Sequence, residues 1–222
     1  MKTFIFDFDS TIFPEETLDE IIQYCFKDDP HSEEKSKEIT NICNLGMSGI
    51  ISMEESLKRR LDIASPTKEN IAQYVRDNKQ RIDDIMKTVL RQIQEKGHQL
   101  FVVSGGFEEW IKPLLEGIVP EENIHANKIR NTNQPMSFDN IDRRDKEGII
   151  KGLNIKGEVG IMVGDGATDY SVFKNRMVTQ FIGTFFYVDK SQRQAVVDQI
   201  ELANQVLFES KEEFSTYIAE II

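Results

Sequence analysis

Lys2-Thr3-Phe4-Ile5-Phe6-Asp7-Phe8-Asp9-Ser10-Thr11 is the stretch on which the fold turns. Phe4, Ile5 and Phe6 form the short apolar run that a strand buried on both faces requires. Two carboxylates, Asp7 and Asp9, follow at once, with the hydroxyls of Ser10 and Thr11 behind them. An ionised carboxylate is expensive to bury alone, and two of like sign a few ångströms apart cost more. A fold keeps such a pair when a cation or a proton lies between them. Two readings are open. One is a solvated turn after an edge strand. The other is an oxygen-ligand site for a hard divalent cation such as Mg2+, with Asp7 a nucleophile at the carboxyl end of a central strand.

Beyond Thr11 the apolar period lengthens. Leu18, Ile21, Ile22, Cys25 and Phe26 recur at three- and four-residue intervals, as one helical stripe does. Gly46 and Gly49 mark a break between helices, and Ser52 with Glu55 predicts a capping box for the next. Met53, Leu57 and Leu61 line one face of that helix, with Arg60 close to it. Such an arginine either covers the core edge with its stem or points into a cleft to hold a carboxylate. Ser65-Pro66-Thr67 opens another helix to about Gln80. Residues 14–78 therefore read as a helical subdomain inserted after the first strand, leaving 1–13 and 79–222 as the main domain.

The cleanest amphipathic helix, Ile82 to Ile93, ends at Gly97. Strands and helices then alternate, which predicts an α/β fold with a parallel sheet and crossover helices. The spacing places strands at Gln99–Val103, Asn123–Ile129, Val159–Val163, Val178–Ile182 and Val206–Phe208. It places helices at Phe107–Glu116 (bent or shortened by Pro113), Lys146–Leu153, Gln192–Ala203 and after the Ser210/Glu213 capping box. Residues 130–145 are polar and irregular.

Composition narrows the functions. The 222 residues are 39% hydrophobic and 29% charged, an ordinary globular balance. A formal charge of −11 argues against a general nucleic-acid or anionic-membrane binder, while leaving room for a small phosphorylated substrate where a local cation reverses the field. Cys25 and Cys43 lack metal-ligand spacing and suggest a reducing compartment. No secretory leader or membrane span is visible. The expectation is a cytoplasmic enzyme, monomer or homodimer.

Three predicted strand ends carry polar clusters: Asp7/Asp9/Thr11, Ser104/Gly105/Gly106 and Asp165/Asp169. In an open parallel sheet these ends share one rim, where ligands bind at the topological switch point. Asp165 and Asp169, across a glycine turn, can face one cation. Ser104 and the following backbone N–H groups offer an anion site. Lys146, at a helix start, supplies the positive charge that a transferring phosphoryl group needs.

The order Asp-Phe-Asp-Ser-Thr, Val-Ser-Gly-Gly, Lys146 and Gly-Asp-Gly-Ala-Thr-Asp resembles the four motifs of the haloacid dehalogenase superfamily of phosphatases, over roughly Phe4 to Ile182. The resemblance implies a Rossmann-like core with a helical cap. Asp7 would be the nucleophile that forms an aspartyl-phosphate, and Asp9 the acid and then the base. Mg2+ would be held by Asp7, the Asp9 carbonyl and Asp165, with Asp169 beside them; Ser104, Gly105 and Lys146 would hold the phosphoryl oxygens. Within the superfamily the chain resembles the phosphoserine phosphatases. That likeness implies that Glu16 pairs with the substrate ammonium, Arg60 holds its carboxylate, and Met47 and Met53 close over it. L-Phosphoserine is the expected substrate, with a role in serine biosynthesis. The alternatives are phosphohomoserine, a sugar or thio-sugar phosphate, phosphoryl transfer instead of hydrolysis, or a non-enzymatic phospho-acceptor.

Overall fold

Phe4, Ile5 and Phe6 are fully buried because their strand, Lys2–Phe6 (β1), lies between two parallel neighbours. These are Gln99–Phe107 (β2) and Val159–Gly164 (β5). Side chains alternate across a strand, so Phe4 and Phe6 enter one apolar layer with Leu100, Val102, Ile161 and Val163. Ile5 enters the other, with Phe101, Val103 and Met162. A strand covered on both faces has to be apolar at its centre, which Phe4, Ile5 and Phe6 satisfy.

A computed structural model describes residues 1–155, 157, 159–188 and 206–222, apart from the side chain of Met47. The remaining strands are Ile124–Ile129 (β3), Ile141–Asp142 (β4), Gln180–Thr184 (β6) and Val206–Phe208 (β7). Among the described residues the sheet runs β4-β3-β2-β1-β5-β6-β7, parallel except for the antiparallel β3–β4 pair. The expected α/β class with a mainly parallel sheet is therefore present. Chain order reverses at β1, which puts the switch point beside Asp7.

Four helices intervene between β1 and the next core helix: Thr17–Tyr24 (α1), Ser32–Met47 (α2), Met53–Ile63 (α3) and Lys68–Asn78 (α4). Ser52 and Thr67 cap α3 and α4 by accepting the amides of Glu55 and Asn70. Ile21, Ile22 and Tyr74 join the same apolar cluster as Phe8 and Trp110, so α1 and α4 are continuous with the core. Then follow Asp84–Glu95 (α5), Glu108–Leu114 (α6), Lys146–Gly152 (α7), Ala167–Lys174 (α8) and a last helix, Lys211–Ile221. Pro113 lies in the last turn of α6, which stops one residue later.

Two expectations need correction. Strand β2 does not stop at Val103 but continues to Phe107, with its register against β3 shifting between Val103 and Phe107. The irregularity accommodates Ser104-Gly105-Gly106 inside the strand. Segment 130–145 is also less loose than its polarity implied. Met136 is fully buried, and its amide donates to the Pro66 carbonyl at 2.7 Å. Arg143 stacks on Phe138 and pairs with Glu54 of α3 at 2.9 Å. The helix expected over Gln192–Ala203 lies outside the described residues.

Candidate active site

The carboxyl end of β1 is where the chain changes direction. Phe6 is level with Val102 of β2 and Val163 of β5, and the Asp7 amide still donates to the Val163 carbonyl at 2.9 Å. Beyond it the Phe8 carbonyl accepts from the amides of Thr11, Ile12 and Phe13, while Ser10 adopts a left-handed φ of 53°. A non-glycine residue in that region stores strain of a kind found at functional sites. The turn leaves Asp7 and Asp9 at the rim of the sheet.

Three of the four motifs are in direct contact there. Ligand oxygens of Asp7, Asp165 and Asp169 lie within 4.8 Å of one another. The Lys146 ammonium bridges Asp169 Oδ1 at 2.5 Å and Asp7 Oδ1 at 3.1 Å. Thr11 donates its hydroxyl to Asp165 at 3.2 Å. Asp169 lies flush against Gly164, where a Cβ would stand 2.3 Å from its carboxyl carbon; only glycine admits this approach. The Gly166 amide donates to the other Asp169 oxygen at 3.1 Å.

Asp9 and Ser104 face each other across Gly106, whose absent Cβ would lie 3.3 Å from Asp9 Oδ2 and from Ser104 Oγ. Ser104 is buried and accepts the Gly106 amide at 2.9 Å. Asp9 Oδ1 accepts from the Thr17 amide and hydroxyl, and the Trp110 indole donates to that hydroxyl at 2.8 Å.

Burial dominates the electrostatics. It raises the Asp7 carboxyl to about 7, with Asp169 pushing the same way and Lys146 opposing. Burial and then Glu16 hold Asp9 well above the usual carboxylate range; burial and then Asp169 do the same for Asp165. One ammonium does not balance these groups. The donor set is all carboxylate oxygen, gathered round a deficit of positive charge, and so fits a hard divalent cation.

The expected substrate-side residues are more dispersed. Glu16 is exposed, and accepts the Ser10 hydroxyl at 3.1 Å. Although solvent reaches it, the atoms packed around it and then Asp19 raise its carboxyl, while Arg60 pulls the other way. Arg60 is 5% exposed, its guanidinium 2.6 Å from Asp19 of α1. Met53 is 55% exposed, at the start of α3. The Gly105 carbonyl accepts from Asn127, and the Met47 side chain lies outside the described residues. Sequence reasoning missed Thr17, Asp19 and Asn127. Asp19 and Thr17 look in sequence like an ordinary acidic first turn, and Asn127 carries no local signal.

The sequence model of the haloacid dehalogenase-like hydrolases matches residues 1–175, and the chain belongs to that family. Its relatives include phosphatases. The phosphoserine phosphatase of Drosophila melanogaster is 28% identical over 175 residues, covering 74% of this chain. That of Methanocaldococcus jannaschii is 29% identical over 189 residues, covering 78% of this chain and 81% of the relative. The chain spans only 62% of the Drosophila protein's length. A phosphoserine phosphohydrolase-like protein from Francisella tularensis superposes with a TM-score of 0.80 at 32% identity, covering 98% of this chain and 100% of the other. A phospho-aspartyl intermediate analogue of phosphoserine phosphatase shares the fold, with a TM-score of 0.71 at 22% identity.

Proposed function

We propose that the protein is a Mg2+-dependent phosphomonoesterase that works through an aspartyl-phosphate on Asp7, with L-phosphoserine as its substrate. The observation that carries this reading is the contact of Lys146 with both Asp7 and Asp169 at the switch point. Asp7, Asp165 and Asp169, with the Asp9 carbonyl, would hold the cation, which supplies positive charge for the phosphoryl oxygens and keeps Asp7 ionised.

The steps then follow from the chain's own groups. Ser104, the Gly105 amide and Lys146 hold the phosphoryl oxygens. An Asp7 oxygen attacks phosphorus and the ester P–O bond breaks. Asp9 gives its proton to the departing oxygen, a role that its raised carboxyl suits. Water then attacks the phosphorus of the aspartyl-phosphate, and Asp9, now ionised, takes its proton. Phosphate leaves and Asp7 is restored.

Residues 14–78 would act as a cap that excludes water over this site. Glu16 and Arg60 would clamp the ammonium and carboxylate of the amino acid, with Met47 and Met53 above them. The Arg60–Asp19 pair supports a second reading, the same chemistry on a small phosphate without a carboxylate, because the guanidinium already has a partner. Phosphate release across L-phosphoserine, phosphothreonine, phosphohomoserine, sugar phosphates and p-nitrophenyl phosphate decides between them. A strong preference for phosphoserine supports the amino-acid clamp; a flat profile keeps the mechanism and discards the substrate.

A further inference from the structure

The register of β2 against β3 shifts between Val103 and Phe107, so Gly105 and Gly106 fall between the paired positions of the two strands. Both of their carbonyls are taken up by one side chain. Asn127 of β3 donates from Nδ2 to the Gly105 carbonyl at 2.7 Å and to the Gly106 carbonyl at 3.1 Å. Its Oδ1 accepts the backbone amide of Arg144 at 2.7 Å. The network fixes the amide's orientation: a flip would set its oxygen against two carbonyls and its NH2 against an N–H.

The two ends of this bridge carry the phosphoryl-binding groups. On one side, the Gly106 amide donates to Ser104 Oγ. On the other, Arg144 precedes Asp145, which caps α7 by accepting the Gly148 amide, and Lys146 opens that helix. We infer that Asn127 is a positioning residue, whose amide sets the spacing between the Ser104 loop and the Lys146 helix start. It touches neither substrate nor reacting atoms. The inference rests on the reading of Ser104 and Lys146 as the phosphoryl-binding pair.

The test uses Asn127→Ala and Asn127→Asp with Mg2+, p-nitrophenyl phosphate as substrate and orthovanadate as the phosphoryl mimic. Displacement of a binding group by about 1 Å costs about 10²-fold. Turnover should fall by about that factor, vanadate inhibition should weaken with it, and the melting temperature should shift by only a few degrees. The Glu108–Arg144 contact at 3.7 Å remains to hold the segment. Ser104→Ala should cost much less in the Asn127→Ala background than in the native protein. Native turnover in both variants, or the same Ser104→Ala penalty in both backgrounds, overturns the inference. Should Asn127→Ala fail to fold, Asn127→Asp carries the test, because it matches the native shape and keeps the acceptor for Arg144. If Ser104→Ala and Lys146→Ala keep full turnover, the phosphoryl pair itself is wrong and the inference goes with it. If they lose turnover while Asn127→Ala keeps it, the inference alone fails.

Discussion

The Thr17 hydroxyl donates to Oδ1 of Asp9 at 2.7 Å, and is itself held by the Trp110 indole, 93 residues away in sequence. One oxygen of Asp9 is thereby fixed, leaving Oδ2 toward Gly106 and the Ser104 side. An acid that must reach a departing oxygen gains from such a hold. Thr17→Val keeps the shape and removes the hydroxyl. It should slow alkyl phosphates such as phosphoserine by about 10-fold more than p-nitrophenyl phosphate, whose leaving group needs little protonation. Equal losses on both substrates would remove Thr17 from orienting the acid.

Asp7→Asn removes the attacking oxygen while keeping the side chain's volume. Turnover should fall by about 10³-fold or more. The melting temperature should change by only a few degrees, because Lys146 keeps its contact with Asp169. Phosphate release and a thermal melt on one preparation check both halves. Substantial residual turnover would take the nucleophile's role from Asp7.

What the sequence made legible was periodic or adjacent. β1 was visible because three consecutive apolar residues are buried on both faces, and α5 because Met86, Val89, Leu90 and Ile93 share a buried stripe. Asp165 and Asp169 were visible because a glycine turn keeps them four residues apart. Asp19, Thr17 and Asn127 were not, since each acts through a partner far along the chain, where no local pattern records the contact. The course of β2 through Ser104–Gly106 was hidden for a related reason. Two glycines after a serine read locally as a turn, whereas the paired residues on either side, Val103 and Phe107, and the Asn127 amide keep them within the strand.

The Arg60–Asp19 pair is nearly enclosed, with side-chain exposures of 6% and 12%. Removing one partner of such a pair strands the other charge, at about 3–5 kcal/mol, whereas replacing both by apolar groups is often far milder. Arg60→Met and Asp19→Leu singly should therefore lower stability more than the double variant does, as denaturant midpoints would show. Arg60→Met should also raise KM for phosphoserine much more than for p-nitrophenyl phosphate. Equal KM changes would confine Arg60 to structure.

Mg2+ should stabilise the protein as well as support turnover, because Asp7, Asp165 and Asp169 repel one another without it. At a concentration 100 times the dissociation constant the gain is about 2.7 kcal/mol, readable as a rise in melting temperature. Chelation should reverse both the rise and the activity. Asp165→Asn should weaken the thermal response to Mg2+. A native-sized response in that variant would place the cation elsewhere.

Asp83 caps α5 by accepting the Ile85 amide at 2.9 Å and pairs with Lys211, the first residue of the last helix. Burial alone would raise its carboxyl, but Lys211 and the Ile85 amide outweigh burial and hold it below the usual value. A depressed folded value means that stability is present above the unfolded pKa, about 3.9, and is lost as pH falls through the folded value. Asp83→Asn keeps a capping oxygen and removes the charge. At pH 7 it should cost no more than about 1 kcal/mol, since the pair is partly solvated. The gap between it and the native protein should close as the pH is lowered through the folded value of Asp83, where the side chain itself becomes neutral. Urea midpoints across that range test the sign: a gap that widens on acidification would show that the Lys211 pair does not help to dock the last helix.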